Sequence, residues 1–243
     1  MNIVKHIPNT ITSMNLLCGV IGVICTFGGR FDIAFYMILG AAVFDFCDGL
    51  SARALNAYSE LGKQLDSLSD MVSFGVLPAM ILYRLMAELS GESLLNFIPL
   101  GIAVFSGLRL AKFNIDERQS ENFIGLATPS CAILCGALAH YIYCTPDSFL
   151  TAWASGKIFI PVLSVCLSAL LVSEISMFSL KFKKGQQKDS IVYKQRVCFI
   201  GLCIATAIIV FLFGQKFSIV FILATIIYII MNIINYFVRG RQQ

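Results

Sequence analysis

The chain is a succession of long apolar segments separated by short polar connections. Eight such segments follow one another along the 243 residues. They cover residues 10–28, 32–55, 61–86, 94–113, 127–146, 157–180, 192–213 and 217–237. A helix needs about 20 mostly apolar residues to cross a bilayer. The sequence therefore predicts an all-α, polytopic integral membrane helix bundle of about eight transmembrane helices, in a single membrane domain over residues 1–243.

Composition agrees with a membrane location and excludes other classes of protein. Hydrophobic residues make up 58% of the chain and charged residues only 13%, whereas a soluble domain carries about 25% charged residues. A net charge of +4 is too small to indicate a nucleic-acid-binding protein. The nine cysteines form no C-x-x-C pair, and therefore indicate neither a disulfide framework nor a zinc site. Prolines 129, 146 and 161 interrupt the fifth and sixth segments, so six spans are the alternative.

The distribution of basic residues predicts the orientation of the chain. With eight spans, both termini and the connections after spans two, four and six lie on one side. Of the 18 Lys and Arg residues, all but four fall on that side. The four exceptions are Arg30, Arg84, Lys157 and Lys216. Because basic residues accumulate on the cytoplasmic side of a membrane, we expect an inner-membrane protein with both termini in the cytoplasm.

Four aspartates lie inside the second and third apolar segments. Asp45 and Asp48 are three residues apart and therefore share one face of a helix. Asp66 and Asp70 are four residues apart and share a face in the same way. A carboxylate inside a membrane helix is costly and usually marks function. These four residues are therefore the strongest candidates for a functional site.

The distances along the chain place these aspartates at matching heights. If the hairpin turns near Ala57, Asp48 and Asp66 are each nine residues from the turn. Asp45 and Asp70 are twelve and thirteen residues from it. With a helical rise of about 1.5 Å per residue, the two members of each of these pairs face each other. We therefore predict that four carboxylates converge at two levels on the cytoplasmic side.

Four like charges in one place repel each other unless protons or cations lie between them. Carboxylate oxygens are ligands that suit Mg²⁺ and Mn²⁺, and two divalent ions would neutralise four carboxylates. Sites with two metal ions commonly promote in-line displacement at phosphorus. We therefore predict a site for two divalent ions, Mg²⁺ or Mn²⁺. The alternative is that these aspartates cap helix ends and remain solvated in the headgroup region.

Small residues surround the predicted site. Gly49, Ala52 and Gly62 lie near the aspartates, where the missing side chains would let a bulky ligand approach the backbone. The same residues could equally serve close packing between helices. Arg53 lies one turn beyond Gly49, where it could either bind a phosphate or mark the cytoplasmic interface.

Together these residues form the pattern D-x-x-D-G-x-x-A-R-x8-G-x3-D-x3-D. The eight specified positions are Asp45, Asp48, Gly49, Ala52, Arg53, Gly62, Asp66 and Asp70. All eight match the signature of the CDP-alcohol phosphotransferases, which this chain resembles. The resemblance implies a membrane enzyme that moves a substituted phosphate from a CDP-linked donor to an alcohol and releases CMP. It also implies a family core at about 7–180, an additional C-terminal helical hairpin at about 190–238, and a homodimer.

Longer stretches resemble the bacterial and archaeal phosphatidylserine synthase branch of this family. They cover residues 7–19, 60–75, 107–114 and 123–129. The pattern of this branch leads us to expect proline at position 127, where this chain has alanine. We expect the change to affect the start of a helix and not the chemistry. The branch implies CDP-diacylglycerol as donor and L-serine as acceptor in phospholipid biosynthesis. Family precedent assigns metal binding to the four aspartates, and to Asp70 the removal of the hydroxyl proton.

Further polar residues are candidates for substrate contacts. Arg109 and Lys112 lie three residues apart at the cytoplasmic end of the fourth span. A guanidinium suits the carboxylate of serine, although both residues could instead be interfacial anchors. Thr12 and Asn15 share one side of the first span, where they could face cytidine or diphosphate or hydrogen-bond between helices. The remaining candidates for substrate binding are Lys63 and Ser67.

Two alternatives to a serine-specific enzyme remain open. The first is a related enzyme that uses glycerol 3-phosphate, inositol phosphate or choline as acceptor. A phosphorylated acceptor would need more cations than residues 109, 112 and 118 supply, which favours serine. The second is a divalent-cation transporter, which would need polar residues to the far side of the membrane. Residues 33–43 and 76–83 are essentially apolar, which favours an enzyme.

Overall fold

The computed structural model describes residues 6–116, 123–178 and 191–240. Within these ranges the chain is almost entirely helical. The α-helices are α1 (Ile7–Phe27), α2 (Phe31–Ala54), α3 (Glu60–Asp70), α4 (Leu77–Ser90), α5 (Gly101–Ile115), α6 (Thr128–Cys144), α7 (Phe149–Ala154), α8 (Phe159–Val172), α9 (Ile191–Leu212) and α10 (Ser218–Gly240). A π-helical segment, Met71–Val76, joins α3 to α4, and a 3₁₀ helix, Leu94–Leu100, precedes α5. Two short strands, β1 (Phe123–Ile124) and β2 (Ser176–Met177), pair antiparallel.

Six helical stretches in the described part of the chain are long and apolar enough to cross a membrane, by length and composition. They are Ile7–Phe27, Phe31–Ala54, Glu60–Ser90, Leu94–Ile115, Tyr193–Leu212 and Ser218–Val238. The fifth and sixth predicted segments form shorter helices, of 17 residues in α6 and 14 in α8. The prediction of an all-α polytopic membrane protein is confirmed, with six long apolar helices and further shorter ones.

Proline positions and an extended loop account for the short helices. Pro129 lies in the first turn of α6, and Pro146 follows two residues after its end. Pro161 lies at the start of α8. The predicted span 157–180 was too long at its C-terminal end, because the backbone leaves the helix at Ser173 and continues extended into β2.

The helix that carries Asp70 is continuous from Glu60 to Ser90, and its π-helical segment begins directly after Asp70. Ser73 in this segment donates a hydrogen bond of 2.9 Å to the carbonyl oxygen of Asn15 in α1. A Cβ at Gly19 would lie 2.5 Å from Ser73 Oγ. α1 therefore approaches this segment closely because residue 19 is glycine. π-helical turns occur frequently at functional sites.

Helix α6 lies at the centre of the bundle and is buried along most of its length. It packs against α2, α4 and α10. Near its C-terminal end, His140 lies among aromatic rings, 5.4 Å from Phe35 and 4.9 Å from Phe217 between ring centroids. Nδ1 of His140 lies 3.0 Å from Oγ of Ser218, the first residue of α10. The C-terminal helix is thus packed onto the core.

A second set of hydrogen bonds connects α10 to the chain that follows α8. Asn232 Oδ1 accepts a hydrogen bond of 2.9 Å from the backbone N–H of Phe178. The Tyr228 hydroxyl donates one of 3.0 Å to the carbonyl oxygen of the same residue. Phe178 directly follows β2, and β2 pairs with β1, which leads into α6. These contacts hold the loop between α8 and β2 beside the ends of α5 and α6.

We expect the substitution Gly125→Ala to destabilise this connection. Gly125 joins β1 to α6 with φ of +75°, and a Cβ there would lie 2.5 Å from the carbonyl oxygen of Leu171. The left-handed backbone and the close contact both oppose a side chain, at a cost of about 1–3 kcal/mol in the free energy of unfolding. The thermal unfolding midpoint of the detergent-solubilised protein measures the effect.

Gly201→Ala is the matched control, because a Cβ at this helical position would meet nothing within 4 Å. Its midpoint should equal or exceed that of the unchanged protein, since alanine favours helix over glycine. Equal midpoints for the two variants would contradict the account of Gly125.

Candidate active site

The hairpin formed by α2 and α3 brings acidic side chains together. Asp45, Asp48 and Asp66 each offer a carboxylate oxygen, and these three oxygens lie within 4.8 Å of one another. Asn56 in the connecting turn has φ of 47°, a left-handed conformation that asparagine adopts more readily than most residues. Ser59 then caps α3, because its Oγ accepts a hydrogen bond of 3.0 Å from the backbone N–H of Gly62. The tight turn and the cap set the register of the two helices.

The four aspartates also influence one another electrostatically. Asp66 interacts electrostatically with Asp48. Among the aspartates that surround Asp70, Asp45 has the strongest electrostatic effect, followed by Asp66. The four carboxylates therefore form one electrostatic group, and their pairing by height along the hairpin stays a prediction.

Helix α1 forms a third wall of the site. Thr12 is buried and donates a hydrogen bond of 2.6 Å to Asp48 Oδ2. Asn15 is fully buried, and its Nδ2 donates a hydrogen bond of 3.1 Å to Asp70 Oδ1. Both residues thus hydrogen-bond between helices, to the aspartates themselves. These bonds fix the orientation of one carboxylate at each end of the acidic group.

The acidic group has the features of a cation site. Oδ1 of Asp66 is buried and has no hydrogen-bond partner among the described residues. Burial of a carboxylate oxygen is costly unless it is paired or coordinates a metal. Three oxygens from Asp45, Asp48 and Asp66 within one small volume supply ligands of the type that Mg²⁺ and Mn²⁺ prefer. The residues present could therefore hold a divalent metal ion.

An open cavity of about 600 Å³, here called the first cavity, lies beside the acidic group. Asp48 and Asp66 line its inner part. Seven predicted site residues line this cavity: Thr12, Asp48, Gly49, Ala52, Gly62, Lys63 and Asp66. A Cβ on Gly62 would lie 2.9 Å from Asn9 Oδ1 and 3.0 Å from Ser59 Oγ, so a side chain would crowd this wall. The volume suits a ligand of nucleotide size.

A smaller cavity of about 320 Å³, here called the second cavity, lies at the end of α5. Arg109 and Lys112 line it. Arg109 is buried, its Nη1 lies 3.4 Å from Thr128 Oγ1, and its Nε has no hydrogen-bond partner among the described residues. The acidic group with the strongest attraction to Arg109 is Asp70. Arg109 thus links the second cavity electrostatically to Asp70.

Two predicted site residues are turned away from the cavities. Ser67 accepts a hydrogen bond of 2.9 Å from Asn114 Nδ2 and donates one of 3.2 Å to the carbonyl oxygen of Lys63. It therefore joins α3 to α5 and does not line the first cavity. Arg53 is exposed, and its Nε donates a hydrogen bond of 2.8 Å to the carbonyl oxygen of Gly49.

The structure also adds residues that the sequence analysis did not select. Asn9, Tyr58 and Glu60 line the first cavity, and Glu174 lines the second. Asn9 lies three residues before Thr12, so helical spacing alone could have placed it on the same face of α1. Glu174 lies on a loop that is distant in the chain, and tertiary contacts bring it to the second cavity.

Comparison with known proteins shows which family the chain belongs to. A family model described as CDP-alcohol phosphatidyltransferase matches residues 5–170. A CDP-diacylglycerol–serine O-phosphatidyltransferase of Bacillus subtilis is 30% identical, over 76% of this chain and 97% of that protein. A protein of the same name from Methanocaldococcus jannaschii is 31% identical, over 96% of this chain and 95% of that protein. An archaetidylserine synthase of Methanothermobacter thermautotrophicus is 28% identical, over 70% of this chain and 68% of that protein. The chain belongs to the CDP-alcohol phosphatidyltransferase family.

Proposed function

We propose that this chain is a phosphatidylserine synthase, which transfers the phosphatidyl group from CDP-diacylglycerol to L-serine and releases CMP. The observation that carries the proposal is the cluster of carboxylate oxygens from Asp45, Asp48 and Asp66 beside the first cavity, in which one buried oxygen of Asp66 lacks a hydrogen-bond partner among the described residues. Serine appears in the names of all three relatives, whereas the lipid part differs among them. These names support serine as the acceptor more strongly than they support any particular lipid in the donor.

Two divalent ions, Mg²⁺ or Mn²⁺, complete the proposed site. Asp45, Asp48 and Asp66 would hold them, and Asp70 would join as a further ligand. Ions held there would supply positive charge that stabilises the negative charge developing at the phosphates during transfer. Thr12 serves this arrangement by holding Asp48 in one orientation through its hydrogen bond.

The first cavity is the proposed site of the CDP group. Gly49 and Ala52 keep its wall free of large side chains and so leave room for a large ligand, whereas the glycine at 62 makes room for Asn9 and Ser59. Lys63 brings a positive charge to the same cavity, where it would meet a phosphate. Arg53 would reach the donor only after leaving its present bond to the carbonyl oxygen of Gly49.

Asp70 is the proposed general base. The serine hydroxyl oxygen forms a bond to the phosphorus that carries diacylglycerol, the bond from that phosphorus to the CMP oxygen breaks, and the hydroxyl proton moves to Asp70. A hydroxyl is a weak nucleophile unless a base within hydrogen-bond reach accepts its proton. The hydrogen bond from Asn15 orients Asp70, and its electrostatic interaction with both the other aspartates and Arg109 supports this role.

The second cavity is the proposed site of the acceptor. Arg109 lines it and forms no ion pair within the described residues, so its guanidinium can bind a carboxylate. Lys112 adds a second cation at its rim. A transporter would need a polar route to the far side, yet Ile38, Ala41 and Leu82 in the outer halves of the spans are buried apolar residues.

The proposal also covers the orientation of the enzyme in the membrane, its domains and its oligomeric state. Its active site faces the cytoplasm, and both termini lie on that side. The distribution of basic residues along the chain supports this orientation. Residues 181–188, which contribute to that distribution, lie outside the described ranges. The family core extends over about 7–180, and a further hairpin at about 190–238 follows it. The chain acts as a homodimer, as the family resemblance suggests.

The decisive experiment is a substrate panel. Purified protein with CDP-diacylglycerol and Mn²⁺ or Mg²⁺ is given L-serine, glycerol 3-phosphate, inositol phosphate or choline, and CMP release is measured. We expect release that depends on L-serine and stops when a chelator removes the metal. Release with another acceptor but not with serine would contradict the proposed acceptor, and release that persists in chelator would contradict the proposed cofactor.

We expect Asp70→Asn to lower kcat by a factor of about 10²–10⁴, the usual contribution of a general base. The amide keeps the shape of the side chain but cannot accept the proton. Asp32→Asn is the matched control, because Asp32 lies at the opposite end of α2 and pairs with Arg30 at 3.0 Å. The control should keep its turnover, and near-normal turnover of Asp70→Asn would exclude Asp70 as the base.

We expect Arg109→Lys to raise the KM for serine about tenfold or more, because lysine cannot present two parallel N–H donors to a carboxylate. The KM for CDP-diacylglycerol should stay the same in this variant, since the donor occupies the first cavity. Arg84→Lys is the control, because Arg84 pairs with Glu88 at 3.1 Å, far from the hairpin turn. An unchanged KM for serine would argue against a role of Arg109 in acceptor binding.

A further inference from the structure

The second cavity carries charges of both signs in its wall. Arg109 and Lys112 line one side, from α5. Asp116, directly after α5, and Glu174, between α8 and β2, supply carboxylates. A volume of about 320 Å³ is at the small end of the range for ligand pockets, about 300–1,000 Å³. The cavity therefore suits a small molecule with both charges, and not a lipid or a nucleotide.

The backbone on both sides of Glu174 is held in place. The Ser173 hydroxyl donates a hydrogen bond of 2.9 Å to the carbonyl oxygen of Leu170. The backbone N–H of Gly125 donates another of 2.9 Å to the carbonyl oxygen of Ile175. Residue 174 lies between these two bonds, two residues before β2 begins. Its position relative to α5 is thus fixed without any contribution from its own side chain.

The two carboxylates of the cavity differ in their partners. Asp116 has an interaction partner of its own. Within the described residues, Glu174 makes neither a hydrogen bond nor an ion pair, and its side chain is exposed to the cavity. Arg109 lines the same cavity and forms no ion pair within the described residues. The cavity thus offers one unpaired anion and one unpaired cation.

We infer that Glu174 binds the α-ammonium group of the acceptor while Arg109 binds its α-carboxylate. This inference rests on the proposed function and adds to it the residue that selects an amino acid. A zwitterion presents both charges from one carbon atom, so cationic and anionic walls of one small cavity recognise it together. An acceptor with a phosphate in place of the ammonium group would be repelled by Glu174, which gives selectivity by exclusion as well as by attraction.

The proposed experiment compares serine with an analogue that lacks the ammonium group. Glu174→Gln removes the charge and keeps the shape of the side chain. We expect the KM for L-serine to rise about tenfold, a loss typical of one charge-assisted hydrogen bond, with kcat within about twofold of the original. 3-Hydroxypropionate keeps the hydroxyl and carboxylate of serine without its ammonium group. Its inhibition constant as a competitor of serine should not change.

Two further variants distinguish an effect of the negative charge of Glu174 from a structural effect of the substitution. Glu174→Asp retains the negative charge and should recover part of the affinity for serine. Glu92→Gln, on an exposed turn after α4, is the control for loss of one acidic residue and should behave as the unchanged protein.

The inference is overturned by an unchanged KM for serine in Glu174→Gln. It is equally overturned by a parallel loss of serine and 3-hydroxypropionate binding, which would indicate a structural role for Glu174. If the unchanged protein releases no CMP with serine, the proposed function fails and this inference fails with it. A serine-active enzyme with an unaffected Glu174→Gln variant contradicts the inference alone.

Discussion

Mutual repulsion among four carboxylates inside a helical hairpin is the constraint on which the rest of this structure depends. Asp45, Asp48 and Asp66 offer oxygens within 4.8 Å of one another, and Asp70 lies in the same electrostatic group. Such a group is stable within a membrane protein only if each oxygen has a donor or a cation as partner. The hydrogen bonds from Thr12 and Asn15 satisfy one oxygen each, and an oxygen of Asp66 remains buried without a partner among the described residues. In the proposed function, divalent ions supply the rest.

The surrounding helices serve this arrangement in two ways. α1 packs closely against the π-helical segment through Gly19 and Ser73, and this contact places its polar residues on the aspartates. α5, β1, the end of α8 and the loop after it line the second cavity, and α10 fastens the chain after that loop through Tyr228 and Asn232. Donor and acceptor would thus approach the acidic group from separate cavities, with Asp70 next to the acceptor.

The sequence predicts the centre of the site well because the relevant contacts are local. Asp48 and Asp66 are close in the chain, and helical rise alone gives their relative height. The ends of α8 depend on tertiary packing, so hydropathy could not predict them. The hydrogen-bond partners of Thr12 and Asn15 depend on it too, so the sequence left two interpretations of these residues open. Ser67 shows the limit of spacing arguments, since it shares a helix with the aspartates but bonds to Asn114 of α5. Glu174 reaches the second cavity only through hydrogen bonds of its loop to Gly125, which no pattern in the sequence reveals.

The most direct test of the account is anomalous diffraction from crystals of the protein soaked in Mn²⁺. The account predicts anomalous density between α2 and α3, within coordination distance of the carboxylates of Asp45, Asp48 and Asp66. It also predicts that this density disappears in the Asp48→Asn variant. Carboxylates that point away from one another, with manganese bound elsewhere or nowhere on the protein, would contradict the central claim.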